Sequence, residues 1–545
     1  MTKTNSPVTR RSFLKTSVAA AAVAAALPLT GRAFIHPTTM AKYVRYNVMS
    51  QGGQRAIASY AKAIQVMLNL PATHPHNWFR NAFVHLMDCP HGNWWFYVWH
   101  RGYVGYFEET IRNLSGDSSF AIPYWDWTTL QEIPPVMFDS VLTPIDKSFE
   151  PYTKNLAVFS SFIKPALMTY WSTLTPAQVK QLNIRGYTQF DLLWNDVDGW
   201  TPSVKQGLSE NMAYANTCGS RYLSRDNPKL DSRTAHACSP DIIKSGLAPT
   251  EFYNPEITLS FNSAKTPSHN TPPGSNAFSV LEGFPHNKVH NYIGGVGPID
   301  YGPYGNMTNF LSPVDPIFFL HHSNMDRLWD VWTRKQQSLG LPYLPSKEDM
   351  PTFSSEPFLF YVNGEGKFVG NSQAGEYLST DRFNYEYEPG FGADVDKTSS
   401  AANKKSARPR IRGTVNANRA SLTVPSAAIR EHLAEPAAAS LVAEVTLPHP
   451  SPSSPTREFD VLVGAPANVT SVDTNSPYYA GTLAFFGNMS HAHEGSEARF
   501  AVPLPKSPQA FQGLAAVNAT VSIRIVPAHG RGRAPILKSA TIRSL

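Results

Sequence analysis

His85 and Cys89 stand four residues apart, one helical turn, and would share a face of a helix. Cys89-Pro90-His91 follows, and His100 comes nine residues after His91. That spacing is about two and a half turns, so His91 and His100 cannot share a helix face. His91 is expected in the loop leading into the helix that carries His100, with Pro90 restricting the backbone. Downstream, His286 and His290 are again at i, i+4, and His321-His322 offers a third imidazole from one or other of two neighbours. Neutral imidazoles with no carboxylate in the set suit copper or zinc, and two all-histidine triplets suit a coupled copper pair better than a zinc hydrolase. An isolated helical histidine pair is ordinarily a surface or satisfied core pair, and His74 and His76, in a Pro-flanked loop, are read that way. Five of the six chosen histidines lie instead in aromatic-rich helical segments, where unpaired polar groups are costly.

The elements that must position these residues are mostly helices. Periodicity marks helices at 42–70, ending at Pro71, and at 77–88 and 93–113, with others around 280–292 and 315–340. Residues 114–275 are Pro-, Asn- and Ser-rich with shorter elements, among them a helix start at Thr175-Pro176-Ala177. Residues 393–412 are rich in Lys, Arg, Ser and Ala and read as an exposed, protease-sensitive linker. Beyond it, short alternating runs at Leu441–Val445, Phe459–Val463 and Val521–Val526 suggest a β-sandwich. The expected architecture is a mainly α core at 34–392, a helical bundle with long loops, followed by a β-rich domain at 413–545.

The chain has 545 residues, enough for two or three domains, with 42% hydrophobic and 16% charged residues, which excludes a disordered or wholly membrane-embedded class. Its net charge of +6 is local: Lys3, Arg10, Arg11, Lys15 and Arg32 precede residue 34 with no acid, and the remaining 42 basic and 41 acidic residues balance. Nothing in that balance suggests nucleic acid or an anionic membrane as partner. Thr9-Arg10-Arg11-Ser12-Phe13-Leu14-Lys15, followed by the Ala-rich run Val18 to Leu29, reads as a twin-arginine export signal spanning 1–33. That run is too short and mild for a permanent anchor. The expected location is periplasmic or extracellular. Twin-arginine export carries folded proteins, which suits an enzyme loaded with its cofactor, by a copper chaperone for example, before it leaves the cytoplasm. Of three cysteines, Cys218 and Cys238 flank a polar segment and are expected to form a disulfide in an oxidising compartment.

His91 through Glu108, read as H-x4-F-x-x-W-H-R-x2-V-x3-E, and Asp315 through Asp326, read as D-P-x-F-x3-H-x3-D, resemble the two copper signatures of the tyrosinase, catechol oxidase and haemocyanin family. The resemblance implies a first copper bound by His85, His91 and His100 and a second by His286, His290 and His322, selecting His322 over His321 by its spacing from Asp315. Tyr97 and the short segment between His85 and His91 depart from the usual pattern. Pro123 through Trp127, Phe358 through Tyr361, Tyr385 through Tyr387, Glu458 through Val461, Tyr479 through Thr482 and Ser490 through His493 look like landmarks of plant polyphenol oxidases. His491 and His493 are expected to have structural or surface roles.

In many members of this family a cysteine forms a thioether to the second histidine of the first site, so the resemblance implies a Cys89–His91 bond. Glu282 resembles the family's water-holding glutamate and Asn287 the asparagine that polarises that water, together a general base for monophenols. Phe318 and Asp326 look like groups that pack on or orient the ligands. The implied function is a type-3 copper phenol oxidase that uses dioxygen to hydroxylate monophenols and oxidise o-diphenols to o-quinones. The C-terminal domain resembles the shielding domain of latent members, with a plug expected within Gly481–Asn488 and a pocket mouth near Asn309–Phe310. A haemocyanin-like oxygen carrier and an o-aminophenol oxidase share the same site and are the alternatives. Small phenols are the expected partners; the sequence does not speak to the oligomeric state.

Overall fold

The computed structural model describes residues 42–198, 221–272, 275–295, 305–394, 410–434, 441–450, 456–487, 496–530 and 532–544. The expected signal peptide, most of the expected linker, Cys218, His491 and His493 lie outside these residues.

Five helices frame the interior, four of which line the candidate site. Helix α1, Gln51–Asn69, is capped by Ser50, whose Oγ accepts from Gly53 N, and buries Tyr60, Ala63, Ile64, Met67 and Leu68 along one stripe. It stops at Leu70 because Pro71 disfavours helical backbone in the residue before it. The expected start at 42 is shortened: Tyr43–Arg45, β1, is a strand paired in parallel with β3, Tyr385–Tyr387. Helix α2, Trp78–Asp88, begins at the Asn77 cap and ends at Cys89, again before a proline. Helix α3, Phe96–Ser115, closes on Gly116 in the left-handed region. Between residues 282 and 294 the chain makes one wide turn, Glu282–His286, around Pro285, then enters α4, Asn287–Gly294. Pro285 has no N–H for the helical ladder, which fits the widening there. Helix α5, Ile317–Ser338, is buried along most of its length. Phe107 on α3 stacks on Phe319 of α5 with ring centroids 3.5 Å apart. Thr175 starts a further helix, Pro176–Arg185, with a capping box to Gln178, as expected.

The C-terminal part is built from two five-stranded sheets. One orders Tyr479–Ala484, Glu458–Val463, Asn518–Pro527, Arg419–Pro425 and Thr414–Asn416. The other orders β2 (Ser275–Phe278), Glu497–Pro503, Leu441–Pro448, Ser539–Ser544 and Ile411–Arg412. Leu422, Val461, Ile523 and Ile525 of the first sheet share one apolar core with Val445, Phe500, Val502 and Ile542 of the second. The strand β2 comes from the helical part and pairs in parallel with Glu497–Phe500, just ahead of Glu282. The chain from 34 to 392 therefore donates a sheet edge to the domain expected only after 413. The expected Cys218–Cys238 disulfide involves Cys218, which lies outside the described residues; Cys238 itself is fully buried in the helical core, its backbone N–H bonded to Thr234 O and His236 O.

Candidate metal centre

Helix α2 carries His85, α3 carries His100, α4 carries His290 with His286 at its N-terminal end, and α5 carries His322. His91 sits on the loop between α2 and α3, as its spacing from His100 requires. All six imidazoles line one chamber. Ring centroids lie 5.5 Å apart for His85–His100, 5.3 Å for His85–His91, 4.6 Å for His286–His290, 5.4 Å for His290–His322 and 5.4 Å for His91–His286. His100 and His322 stack across the two groups at 4.1 Å.

Hydrogen bonds fix how these rings present themselves. The Nδ1–H groups of His85, His100 and His290 donate to the carbonyl oxygens of Phe310, Phe96 and Met307, at 2.7, 2.7 and 2.8 Å. His286 Nδ1–H donates to Asn287 Oδ1 at 2.9 Å. Each Nε2 is left with a lone pair. His85 Nε2 and His100 Nε2 face one another at 3.4 Å with no proton between them, an arrangement that a cation relieves. The Nε2 atoms of His91 and His286 are buried without a partner. Burial first, and the neighbouring imidazoles after it, hold His85, His91, His290 and His322 well below the usual histidine range; burial pushes His100 and His286 down to about 3. The chamber thus offers neutral imidazole donors at pH 7, and such a set fits copper.

His321 also approaches: one nitrogen each of His286, His290, His321 and His322 lies within 4.8 Å of the others. The Trp127 indole N–H donates to His321 Nδ1 at 3.0 Å, which leaves the His321 proton on Nε2. His321 therefore presents a donor to the chamber rather than a lone pair.

Cys89 Sγ lies 3.5 Å from His91 Nδ1. Burial pushes its thiol up to about 12, against the opposing effect of Arg185, whose Nη2 donates to the sulfur at 3.2 Å. Glu282 is buried beside this loop. Its Oε1 accepts from Gly92 N at 2.6 Å, and Oε2 accepts from the Ser263 hydroxyl. Burial raises its carboxyl to about 8, despite these two bonds. Glu282 and Asn287 engage different groups: Asn287 orients His286 through Oδ1, while its Nδ2 donates to Ala484 O at 2.9 Å. Phe318 packs on His322 at 4.2 Å and on His85 at 5.0 Å, as expected. Asp326 works at one remove. It accepts from Arg101, the neighbour of His100, and from Arg45, Tyr385 and Tyr387, and so ties α5 to α3 and to the β1–β3 pair.

The mouth of the chamber is closed by the β part. Phe486, within the stretch expected to hold a plug, places its ring 4.2 Å from His290, 5.0 Å from His91 and 5.5 Å from His286. Phe310, at the expected mouth, stacks on His91 at 5.2 Å. On α4, Lys288 Nζ pairs with Glu458 Oε2 at 2.7 Å, both side chains fully buried. Several supports carry no local signal in the sequence. Ser263, Trp127, Arg185 and the buried chain Asp88–His269–Glu356 reach the site only through tertiary contacts. Asn291 had a signal, its i, i+4 relation to Asn287 directly after His290.

An all-histidine chamber in a four-helix frame, shielded by a β-sandwich, defines a helical protein of the dinuclear metal-binding class. The family model for the common central domain of tyrosinase matches residues 61–335, half of the chain, and the chain belongs to the tyrosinase family. That family implies a dinuclear copper centre. Residues 7–28 match the twin-arginine translocation signal sequence, which marks the chain for export, and no helix among the described residues is long and apolar enough to cross a membrane. Among similar proteins, polyphenol oxidase II of Ipomoea batatas is 25% identical over 348 residues, 61% of this chain and 47% of that one. Aureusidin synthase of Antirrhinum majus is 25% identical over 324 residues, 56% of this chain and 45% of that one. The chain thus spans about half the length of these curated relatives. The solved structure of a latent aurone synthase (polyphenol oxidase) superposes over 95% of this chain and 92% of that one, with a TM-score of 0.51 at 16% identity, a likeness of fold.

Proposed function

We propose that this chain is a copper-dependent phenol oxidase that uses dioxygen to oxidise o-diphenols, and to hydroxylate monophenols, to o-quinones, and that Phe486 keeps it latent. The observation that carries the reading is the set of neutral imidazoles whose Nδ1 protons are committed outward and whose Nε2 lone pairs converge. His85, His91 and His100 would hold one copper; His286, His290 and His322 would hold the other. Two copper ions there supply the electron exchange with dioxygen, and a phenol plus dioxygen gives an o-quinone plus water.

The chain's own residues do the rest. In its ionised form Glu282 takes up the phenolic proton, and burial, which raises its carboxyl to about 8, makes that carboxylate a stronger base. The Ser263 hydroxyl and Gly92 N–H hold its two oxygens. Asn287 fixes the tautomer of His286, and Phe318 fixes the tilt of His322. Cys89 and His91 join in a thioether: the thiol hydrogen and an imidazole ring hydrogen leave with two electrons, which dioxygen accepts. The bond would anchor the one proposed ligand that sits on a loop. Phe486 excludes phenols from the ring seat between His290 and Phe310.

The test is turnover by the copper-loaded full chain. Phe486→Ala is expected to raise o-diphenol oxidation at least tenfold. Reversible oxygen binding without oxidation of any diphenol or o-aminophenol would sink the enzyme reading in favour of a carrier. Glu282→Gln in the Phe486→Ala chain should depress monophenol hydroxylation about a hundredfold and diphenol oxidation far less, as expected for loss of a general base. Equal losses would remove Glu282 from that role. Intact mass should be two hydrogens lighter than the sequence, and Cys89→Ala should abolish the difference.

A further inference from the structure

The carbocyclic rings that touch the six imidazoles are of two kinds. Phe96, Phe310, Phe318 and Phe486 lie against them, and a benzene ring holds its electrons too tightly to yield one to a metal centre. Among the described residues, the oxidisable rings beside the six are Trp99 and Tyr103, both next to His85. Trp99 also lies 5.0 Å from His100. Its indole N–H donates to Asp88 Oδ2 at 2.9 Å. An indole that gives up an electron becomes a strong N–H acid, and a carboxylate at hydrogen-bond distance takes that proton without any shift of heavy atoms. Tyr103 has no such base: its hydroxyl donates to the backbone and side-chain oxygens of Asn81. From Trp99 a row of phenols leads away. Tyr361 stands 5.6 Å from Trp99 and donates its hydroxyl to Trp99 O at 2.7 Å. Gly102 of α3 leaves the space for it, since a Cβ there would meet Tyr361 Oη at 2.7 Å. Tyr106, seven residues after Trp99 on the same face of α3, stands 5.5 Å from Tyr361. Its hydroxyl meets Tyr377 Oη at 3.1 Å and accepts from Arg382 Nη2 at 3.0 Å. The Arg382 side chain is 38% exposed and lines a cavity of about 730 Å³. The row therefore runs from the imidazoles to a wet rim in steps of 5.0, 5.6 and 5.5 Å between ring centroids.

We propose that Trp99, Tyr361 and Tyr106 form an electron relay that discharges the copper-loaded chamber when no phenol is seated. The proposal rests on the phenol-oxidase reading. The oxidant is hydrogen peroxide at the chamber, which takes two electrons and two protons to become two water molecules. Each electron leaves the Trp99 indole, and the indole proton passes to Asp88. An electron from Tyr106 crosses the Tyr361 ring to refill Trp99, and the proton returns from Asp88. Tyr361 keeps its own proton on Trp99 O throughout. Tyr106 loses its phenolic proton to water beside Arg382 and is left as a neutral radical, its oxygen still held by Arg382 and Tyr377. A small water-soluble reductant at the rim returns the electron, and water returns the proton. The relay spares the ligand imidazoles, which the undischarged oxidant would attack.

The test uses the copper-loaded full chain, given hydrogen peroxide and a radical trap without any phenol. A trap adduct on Tyr106 is expected, read by mass on the peptide that contains it. Samples frozen without the trap should show a tyrosyl radical by electron paramagnetic resonance. Tyr343, more exposed than Tyr106 and off the row, stays unlabelled. Trp99→Phe and, separately, Tyr361→Phe are each expected to lose the Tyr106 adduct at equal copper content, with more oxygen added to the peptides of the ligand histidines. Tyr103→Phe keeps the adduct. An adduct that survives Trp99→Phe or Tyr361→Phe overturns the proposal, as does its loss in Tyr103→Phe or equal labelling of Tyr343 and Tyr106. No adduct and no radical, in a protein whose Phe486→Ala form oxidises an o-diphenol, also overturns it and leaves the phenol-oxidase reading standing. A Phe486→Ala form that oxidises no o-diphenol removes the phenol-oxidase reading and the proposal with it.

Discussion

The loop that carries Cys89 and His91 is braced mainly from the helical part, with Asn276 of β2 and Phe486 as its contacts to the sandwich, whereas the helix that carries His290 is gripped from its outer side by the sandwich. Behind the loop, His269 bridges Asp88 and Glu356 at 2.9 and 2.6 Å, and Arg185 bonds both the carbonyl and the sulfur of Cys89. Burial alone would lower His269, but the two carboxylates raise it to about 9, so it is a buried cation at neutral pH. Behind the helix, Lys288 meets Glu458, and Asn287 and Asn291 meet Ala484 and Phe485. One half of the chamber thus draws its buried ion pairs from the helical part, and the other half draws its own from the sandwich. If Phe486 keeps the chain latent, as proposed, displacing the sandwich would alter one side of the site more than the other.

The contrast can be broken most sharply at Glu458. Glu458→Ala leaves the Lys288 ammonium buried without its anion, and should cost about 3–5 kcal/mol of stability by denaturant unfolding, with diphenol oxidation rising. On the other side, Asp88→Asn should cost about 1–3 kcal/mol, because an imidazole that loses one carboxylate can shed its proton, and should leave latency intact. Equal costs, or equal gains in turnover, would erase the distinction.

Titration separates the halves more gently. Glu458 is held down to about 2: burial works against its charge, but Lys288 and His529 overcome it. A depressed carboxyl contributes stability above its unfolded value of about 4.3, and that contribution is lost as pH falls from there towards 2. His269 is raised, so its contribution is complete below about 6.5 and is lost as pH rises through about 9. Hydrogen exchange should therefore show α4 loosening in acid and the Cys89–Gly92 loop loosening in alkali. The reverse order would contradict the assignment. The smallest effect is expected from Asn291→Ala, about 1 kcal/mol, seen as faster exchange in α4 and not in the loop.

Local rules accounted for the helices because their signals are local. Thr175 caps a helix where a start was expected, and Pro71 and Pro90 stand just beyond the ends of two others. The start of the first helix was misread, because 43–45 is a strand whose partner lies at 385–387. No window of sequence contains that pairing. Strand β2 failed to show for the same reason, since its sheet is assembled from residues beyond 410.

The sequence by itself determined which imidazoles could share a helix face, that His91 had to sit on a loop, and that copper chemistry suits the set. Those conclusions follow from the helical period and from ligand type. Tertiary structure decided the tautomers, because the acceptors at Phe310 and Met307 are fixed by folding. It also turned the His321 lone pair to Trp127, parted Glu282 from Asn287, and chose Phe486 from its neighbours. A sheet strand sends successive side chains to opposite faces, and only the docked sandwich shows which face looks into the chamber.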